Sequence, residues 1–370
     1  MYTAITDSTI KISIIGAAGG IGQSLTLLLK TQIHNLIPIG SNKVKKNHIH
    51  LALYDINSDA VNGVATDLSH IDTPVSLSSH SPNTENGIKD CLKDTDLIII
   101  SAGLPRKPGM TREDLFNKNA SIISSLTDSI IEHCDLSKIF ILVISNPVNS
   151  LVPVITKKFI KFDPTADVER RVMGVTKLDI VRASTFLHQF GINEGFEKRS
   201  SIMPSVPVIG GHSGETIIPL FSQSKIHPQL TNEQVDYLTK RVQCGGDEVV
   251  KAKNGQGSAT LSMALAGYKV VAKFISLLSG QEDIIKAIFY ISLLDHTKNE
   301  PICPGAKELM DTVDGLDFFS IPLTISAKGV HSIKYWIMDE MNDYEKDELL
   351  SACIPKLREN IKTGWDFIQD

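Results

Sequence analysis

The chain of 370 residues is poor in cysteine, in aromatic residues and in any surplus of positive charge. Its five cysteines, Cys91, Cys134, Cys244, Cys303 and Cys353, are scattered and never fall as C-x-x-C. That spacing excludes a zinc ribbon and a thioredoxin-type motif, and it suits a reducing compartment with no metal site. Lys and Arg number 37 against 42 Asp and Glu, a net charge of −5. A nucleic-acid binder draws its affinity from a basic face, so no nucleic-acid partner is expected. A long uncharged run, Ile12 to Leu29, holds four glycines together with Ser13, Gln23, Ser24 and Thr26. These lower its hydrophobicity below that of a membrane span, and no Lys or Arg precedes it as in a signal peptide. An Arg-rich mitochondrial leader is also lacking. The terminal Phe367-Ile368-Gln369-Asp370 is not a peroxisomal Ser-Lys-Leu tail. The expectation is a soluble, cytoplasmic protein with no membrane partner. There are no internal repeats and no low-complexity tracts.

What is present suffices for a folded core, with 42% apolar and 21% charged residues. At about 150 residues per domain the length predicts two domains. The first half alternates strand and helix patterns. Strands are predicted at Ile10 to Ile15, Ile49 to Ile56, Asp96 to Ser101 and Ile139 to Ser145. Helices are predicted at Ile21 to Lys30, Asn57 to Ser69 and Thr111 to Cys134. Continuous apolar strands between helices imply a doubly wound parallel sheet of Rossmann type. Residues 31–48 read as a polar, solvated loop. The second half mixes α and β. It has a helix start near Thr176, a Pro/Gly-rich stretch from Met203 to Gly214, and one long helix from Asn232 to Lys251. A further helix is expected at Ala259 to Gly280, strands near Ala287 to Leu294 and Phe318 to Ala327, and a final helix from Asp343 to Phe367. The division falls near Met173, giving domains 1–173 and 174–370.

Gly16-Ala17-Ala18-Gly19-Gly20-Ile21-Gly22 lies between a strand and a helix. That is the context of a dinucleotide loop, in which glycines allow the backbone to approach a pyrophosphate and the helix N-terminus offers free N–H groups. A purely structural glycine turn would look similar. Asp55, closing the second strand, fits the acid that bonds both ribose hydroxyls and repels a 2′-phosphate, which selects NAD over NADP. It lies farther from the glycines than the usual ~20 residues, and a looped-out 31–48 accounts for the excess.

Three further clusters stand out. Gly103 to Arg112 is a Pro/Gly loop carrying Arg106 and Arg112, and a guanidinium fork suits carboxylates. Loop arginines are as readily solvated surface charges. Thr176 and Asp179 look like a capping box, and Asp179 and Arg182 share a helix face; an intrahelical ion pair worth about 0.5 kcal/mol or less is the plain alternative. His212, within Gly210-Gly211-His212-Ser213-Gly214, is open to close approach by a ligand, or is simply a turn histidine. Asn146, in Ser145-Asn146-Pro147-Val148-Asn149, sits at another strand's carboxyl end, where an Asn-Pro turn is the alternative.

Taken together, GAAGGIGQ, LYDI, DLSH, AGLPRKPGMTR, SNPVNS, GVTKLDIVR, VPVIGGHSG and GSATLSM resemble the NAD-dependent malate dehydrogenases of the lactate/malate dehydrogenase superfamily, from about Ile10 almost to the C-terminus. The resemblance implies a Rossmann domain binding NAD followed by an α+β catalytic domain. It implies hydride transfer between (S)-malate and NAD, giving oxaloacetate and NADH, in a homodimer. By that likeness His212 is the general acid/base, and Asp179 pairs with it. Arg182 holds the carboxylate beside the reacting carbon, Arg112 polarises the carbonyl, Arg106 takes the distal carboxylate, and Asn146 bonds the substrate. Asn119, the backbone of Ile144, Ser145 and Asn146, and Met263 lie against the cofactor. A lactate-type enzyme would carry a neutral residue in place of Arg106. The insert at 31–48 departs from compact bacterial forms and is similar to a fungal-type cytosolic or peroxisomal one. The alternatives are a dehydrogenase for another 2-hydroxy acid, or a silent NAD-binding sensor.

Overall fold

A computed structural model describes residues 8–37, 45–105, 112–194, 203–224 and 230–369. In the first half, strands β1 (Thr9–Ile15), β2 (His48–Tyr54), β3 (Ser76–His80), β4 (Leu97–Ile100), β5 (Phe140–Val143) and β6 (Val172–Gly174) are joined by helices α1 (Gly20–Gln32), α2 (Ser58–Ser69), α3 (Gly87–Leu92), α4 (Arg112–His133) and α5 (Val148–Phe162). The strands run parallel in the order β3-β2-β1-β4-β5-β6. That is the doubly wound order, with its switch point between β1 and β4. β1, β4 and β5 are buried along their whole length, which is why β4 and β5 read as unbroken apolar runs.

The second half continues the same sheet with antiparallel strands. It comprises α6 (Lys177–Asn193), β7 (Val208–Gly210), β8 (Ile217–Pro219), α7 (Asn232–Gln243), α8 (Gly245–Ala252) and α9 (Leu261–Leu278). Then come β9 (Ile284–Ser292), β10 (Leu294–Asp295), β11 (Glu300–Pro301), α10 (Ala306–Thr312), β12 (Phe318–Ser326), β13 (Gly329–Ile333), α11 (Trp336–Asp339) and α12 (Ser351–Phe367). β9 follows β6, and β12, β7 and β8 complete the path. One large apolar core runs through both halves, and a smaller one lies where α6 and α7 cover β7 and β8.

Two expectations need correction. The loop expected over 31–48 is shorter: α1 reaches Gln32, a 3-10 turn takes Ile33–Leu36 with Ile33 buried, and β2 begins at His48. Residues 38–44 of that stretch lie outside the described residues. The single helix expected from Asn232 to Lys251 is two, α7 and α8, divided at Cys244 before the pair Gly245-Gly246. As expected, Ile12 to Leu29 is shared by β1, the glycine turn and α1. Among the described residues, the helix that has the length and composition of a span is α9, with mean hydropathy 1.5, and half of it is buried against α1, α6 and β9.

Lys11 is buried inside β1, where its ammonium donates to the carbonyls of Asp90 at 2.8 Å and Lys93 at 2.6 Å. A cation at the end of α3 is thus satisfied by the carbonyls that the helix leaves unpaired. All five cysteines are free. Burial pushes the Cys91 and Cys353 thiols up to about 12, so neither supplies a thiolate nucleophile at neutral pH.

Candidate active site

The glycine loop is built against the ends of β2 and β4. The N–H groups of Gly16 and Ala17 both donate to the Tyr54 carbonyl, at 2.9 and 3.0 Å. Gly16 has φ +88°, and a Cβ there would stand 2.6 Å from the Ala102 nitrogen. At Gly22 a Cβ would stand 2.3 Å from the Gly16 carbonyl oxygen. Both positions therefore need glycine, one for its backbone angle and both for space. Gly19 caps α1 without a side chain, leaving the helix N-terminus to an anion. Ala18, Gly20 and Ile21 complete the turn. Asp55 faces the loop: one carboxylate oxygen accepts the Ala18 N–H at 3.0 Å and the other the Asn57 N–H at 3.1 Å. A glycine cradle with a carboxylate at its rim fits an adenine dinucleotide.

Along the sheet's carboxyl edge the contacts continue from this cradle. Ser145 donates its hydroxyl to the Ala102 carbonyl at 2.5 Å. Asn119, buried in α4, accepts the Leu104 N–H at 2.8 Å and donates to the Asn146 carbonyl at 2.7 Å. It thereby ties the start of the arginine loop to the end of β5. Asn146 is exposed just beyond Ser145, and the Asn146–Pro147 peptide is cis. Ile144 is buried beneath it. Met263 is buried in the first turn of α9, and Thr260 before it touches the glycine loop, since a Cβ at Gly20 would meet its methyl at 2.9 Å. Arg106 and the side chain of Arg112 lie outside the described residues; the backbone of Arg112 opens α4.

The second cluster is carried by α6 and the turn from β7 to β8. Gly210 ends β7 with φ +95°, and the turn closes through the Gly211 N–H on the Thr216 carbonyl at 2.7 Å. His212 projects from this turn, its Nδ1 2.5 Å from Asp179 Oδ2. Asp179 is fully buried in the first turn of α6, and its other oxygen, which has no hydrogen-bond partner, stands 3.6 Å from an Arg182 nitrogen. Burial pushes the Arg182 guanidinium below its ordinary value, opposed by the Asp179 charge. The capping box expected at Thr176 and Asp179 does not form. The Thr176 hydroxyl pairs instead with Ser320 of β12 at 2.9 Å, and Asp179 is committed to His212. An imidazole held on a buried carboxylate can exchange a proton through its other nitrogen, and the adjacent guanidinium can hold an anion there.

Sequence reasoning missed two residues of this cluster. Asn149 contacts the His212 peptide, and Gly245 abuts Arg182. The second asparagine of Ser145-Asn146-Pro147-Val148-Asn149 was the available signal for the first; the second had none, because α8 was read as the interior of a longer helix.

The fold and this cluster define a two-domain dinucleotide-dependent dehydrogenase. The NAD-binding domain of the lactate/malate dehydrogenases matches residues 10–174, and the α/β C-terminal domain of the same family matches residues 176–368. The chain belongs to that family. It is 58% identical to the cytoplasmic malate dehydrogenase of Saccharomyces cerevisiae, over 99% of this chain and 96% of that one. It is 38% identical to the mitochondrial malate dehydrogenase of Homo sapiens, over 100% of this chain and 94% of that one. Among solved structures, Cryptosporidium parvum malate dehydrogenase shares 25% identity at a TM-score of 0.69, over 97% of this chain and 99% of that one. The Picrophilus torridus malate dehydrogenase, at 24% identity and TM-score 0.71 over 97% of this chain and 98% of that one, shares the fold.

Proposed function

We propose that the chain is a malate dehydrogenase, interconverting (S)-malate and oxaloacetate with NAD, working in the cytoplasm as a homodimer. The observation that carries the reading is the buried Asp179–His212 pair at 2.5 Å with Arg182 beside it. The glycine loop and Asp55 would hold NAD, which would supply the carbon that exchanges hydride. His212 takes the hydroxyl proton of malate at its free nitrogen, and Asp179 balances the charge that the ring then gains. Arg182 holds the carboxylate next to the reacting carbon. Arg106, earlier in the chain than α4, takes the distal carboxylate, and Arg112, whose backbone opens α4, polarises the carbonyl; excluding water from around the substrate strengthens these charge interactions. Asn146 bonds the substrate, while Asn119, the 144–146 backbone and Met263 back the cofactor.

The division near Met173 belongs to the same reading, because the last parallel strand, β6, ends at Gly174. The cytoplasmic assignment is supported by the relative of that description at 58% identity. The test is NADH consumption followed by absorbance with oxaloacetate, and with pyruvate as control. Rapid loss with oxaloacetate alone is the expected result. Equal rates with both acids would favour a lactate-type enzyme, and no loss with either would favour a silent binder.

A further inference from the structure

His212 is held by its ring, but a ring is only as well placed as the backbone that carries it. Asn149 supplies the missing grip. It lies in the first turn of α5, with its side chain 1% exposed. Its Oδ1 accepts the peptide N–H of His212 at 2.8 Å. A peptide N–H can only donate, so the amide oxygen must face the histidine and the amide nitrogen must face away. On that side the two hydrogens of Nδ2 have three oxygens within reach that can accept them: Ser213 Oγ at 3.1 Å, Thr216 Oγ1 at 3.1 Å and Asn360 Oδ1 at 3.0 Å. The orientation is thus fixed from both ends. Gly211 lies flat on the amide, since a Cβ there would stand 2.8 Å from both Oδ1 and Nδ2.

Asn360 belongs to α12, the last helix. Gly364 is one turn further along the same face, where a Cβ would stand 2.0 Å from the Ser150 carbonyl oxygen. The absence of a side chain there lets α12 lie directly on α5 and bring Asn360 within reach of Asn149. We infer that Asn149 is a positioning residue for His212: its carboxamide, oriented by Asn360, fixes the main chain from which the imidazole is presented to the substrate. This rests on the reading of His212 as the acid/base. Asp179 then sets the ring and Asn149 sets the backbone, so the general base is defined at two points by two helices, α6 and α5.

The test compares variants in kcat, NADH affinity and the pH profile of kcat/KM. Asn149→Ala is expected to lower kcat about 30-fold or more, the scale of an ångström's misplacement of a reacting group. NADH binding should stay within about twofold, and the limb of the pH profile that depends on His212 should move. A purely structural role would lower thermal stability but leave that limb in place. A folded Asn149→Ala enzyme with an unchanged profile and kcat within about threefold of wild type overturns the inference. Should that variant not fold, half-buried Asn360 decides. Asn360→Leu should slow turnover about 3- to 10-fold and move the same limb, and Asn360→Asp, which keeps the acceptor, should restore it. Wild-type behaviour of Asn360→Leu, or equal slowing by both substitutions, overturns it. Titration of the His212 ring by NMR reads the same displacement without turnover. If His212→Asn retains activity, the acid/base reading itself has failed; if it is dead while the asparagine variants are fully active, only the positioning inference has.

Discussion

The two halves of the sheet recognise their ligands by different means. The cofactor half does so with backbone, the catalytic half with side chains. Around the glycine loop, the backbone path is set by where Cβ atoms are absent, at Gly16 and Gly22, and by the Gly16 and Ala17 N–H groups anchored on the Tyr54 carbonyl, with the Asp55 carboxylate at the rim. Around His212 the geometry comes from buried side chains locked to one another, Asp179 on the ring and Asn149 on the peptide. A backbone cradle tolerates changes that leave its path intact and fails when any side chain is added. A side-chain constellation fails when one functional group is removed, even if the shape is kept.

The sharpest test of that contrast is His212→Asn. Shape is nearly conserved and the cradle is untouched, so NADH affinity should hold while turnover with oxaloacetate falls by about a thousandfold or more, the upper scale for a general acid/base. Fluorescence titration of NADH beside steady-state rates separates the two. A turnover loss matched by lost NADH binding would mean that the halves are not independent.

The converse substitution adds a single methyl to the cradle. Gly16→Ala places a Cβ against Ala102 at a backbone angle that L-residues rarely adopt. The cost is about 2 to 3 kcal/mol of stability, seen as a lower Tm, together with weaker NADH binding. Any enzyme that does bind NADH should still turn it over, because nothing near His212 has changed. A variant that kept NADH affinity but lost kcat would contradict the division of labour.

The halves should also part company in acid. His50 on β2 is nearly buried, with its two ring nitrogens on Ser76 and Ser78 of β3. Burial first, then the Lys11 charge, pushes it down to about 4 from an ordinary 6.5, and His80 beside it is likewise lowered to about 4. Between those limits the unfolded chain binds protons that the folded chain refuses, so stability rises with pH. It is intact above pH 6.5 and is lost as pH falls towards 4, by up to about 3 kcal/mol for His50. His50→Gln should flatten the decline of Tm over that window. An identical acid response in the variant would assign the loss to other groups.

The same contrast explains what was legible in the sequence. β4 and β5 announce themselves because both faces are covered and every position is apolar; β1 is read from its β-branched isoleucines, although Lys11 and Ser13 are buried within it. β3, Ser-Leu-Ser-Ser-His, hides because its polar residues bond to His50 rather than to water. α5 hides behind Pro147 and Pro153, although it carries Asn149. β7 and β8 are three residues each, pair with each other, and join the sheet only where Gly210 meets distant Ser320 of β12, so they are too short for a local pattern to report. The glycine loop and Asp55 could be read locally. The Asp179–His212 pair, 33 residues apart, could not; it came from the family likeness. The local signal at Thr176 and Asp179 even misled, because those side chains serve tertiary partners.

Gly245 gives the smallest expected effect and the most discriminating one, since it puts a backbone-type requirement inside the side-chain half. It is a buried residue in the first turn of α8, and its φ is not positive. By helix propensity alone, alanine should stabilise α8 by up to about 1 kcal/mol. Yet a Cβ there would stand 2.9 Å from Arg182 Cδ and 3.1 Å from its Nε. A free side chain would swing away at little cost. Arg182 is not free, because its far end lies beside the buried Asp179 carboxylate and its side chain is only 12% exposed. The added methyl must therefore displace the guanidinium from the place where it would meet a carboxylate. Gly245→Ala should leave Tm unchanged or slightly raised and NADH affinity unaltered, while KM for oxaloacetate rises about tenfold, equivalent to about 1.4 kcal/mol. An unchanged KM would show that Arg182 either yields freely or does not hold the substrate, and equilibrium binding of a dicarboxylate inhibitor to the same variant tells those two apart.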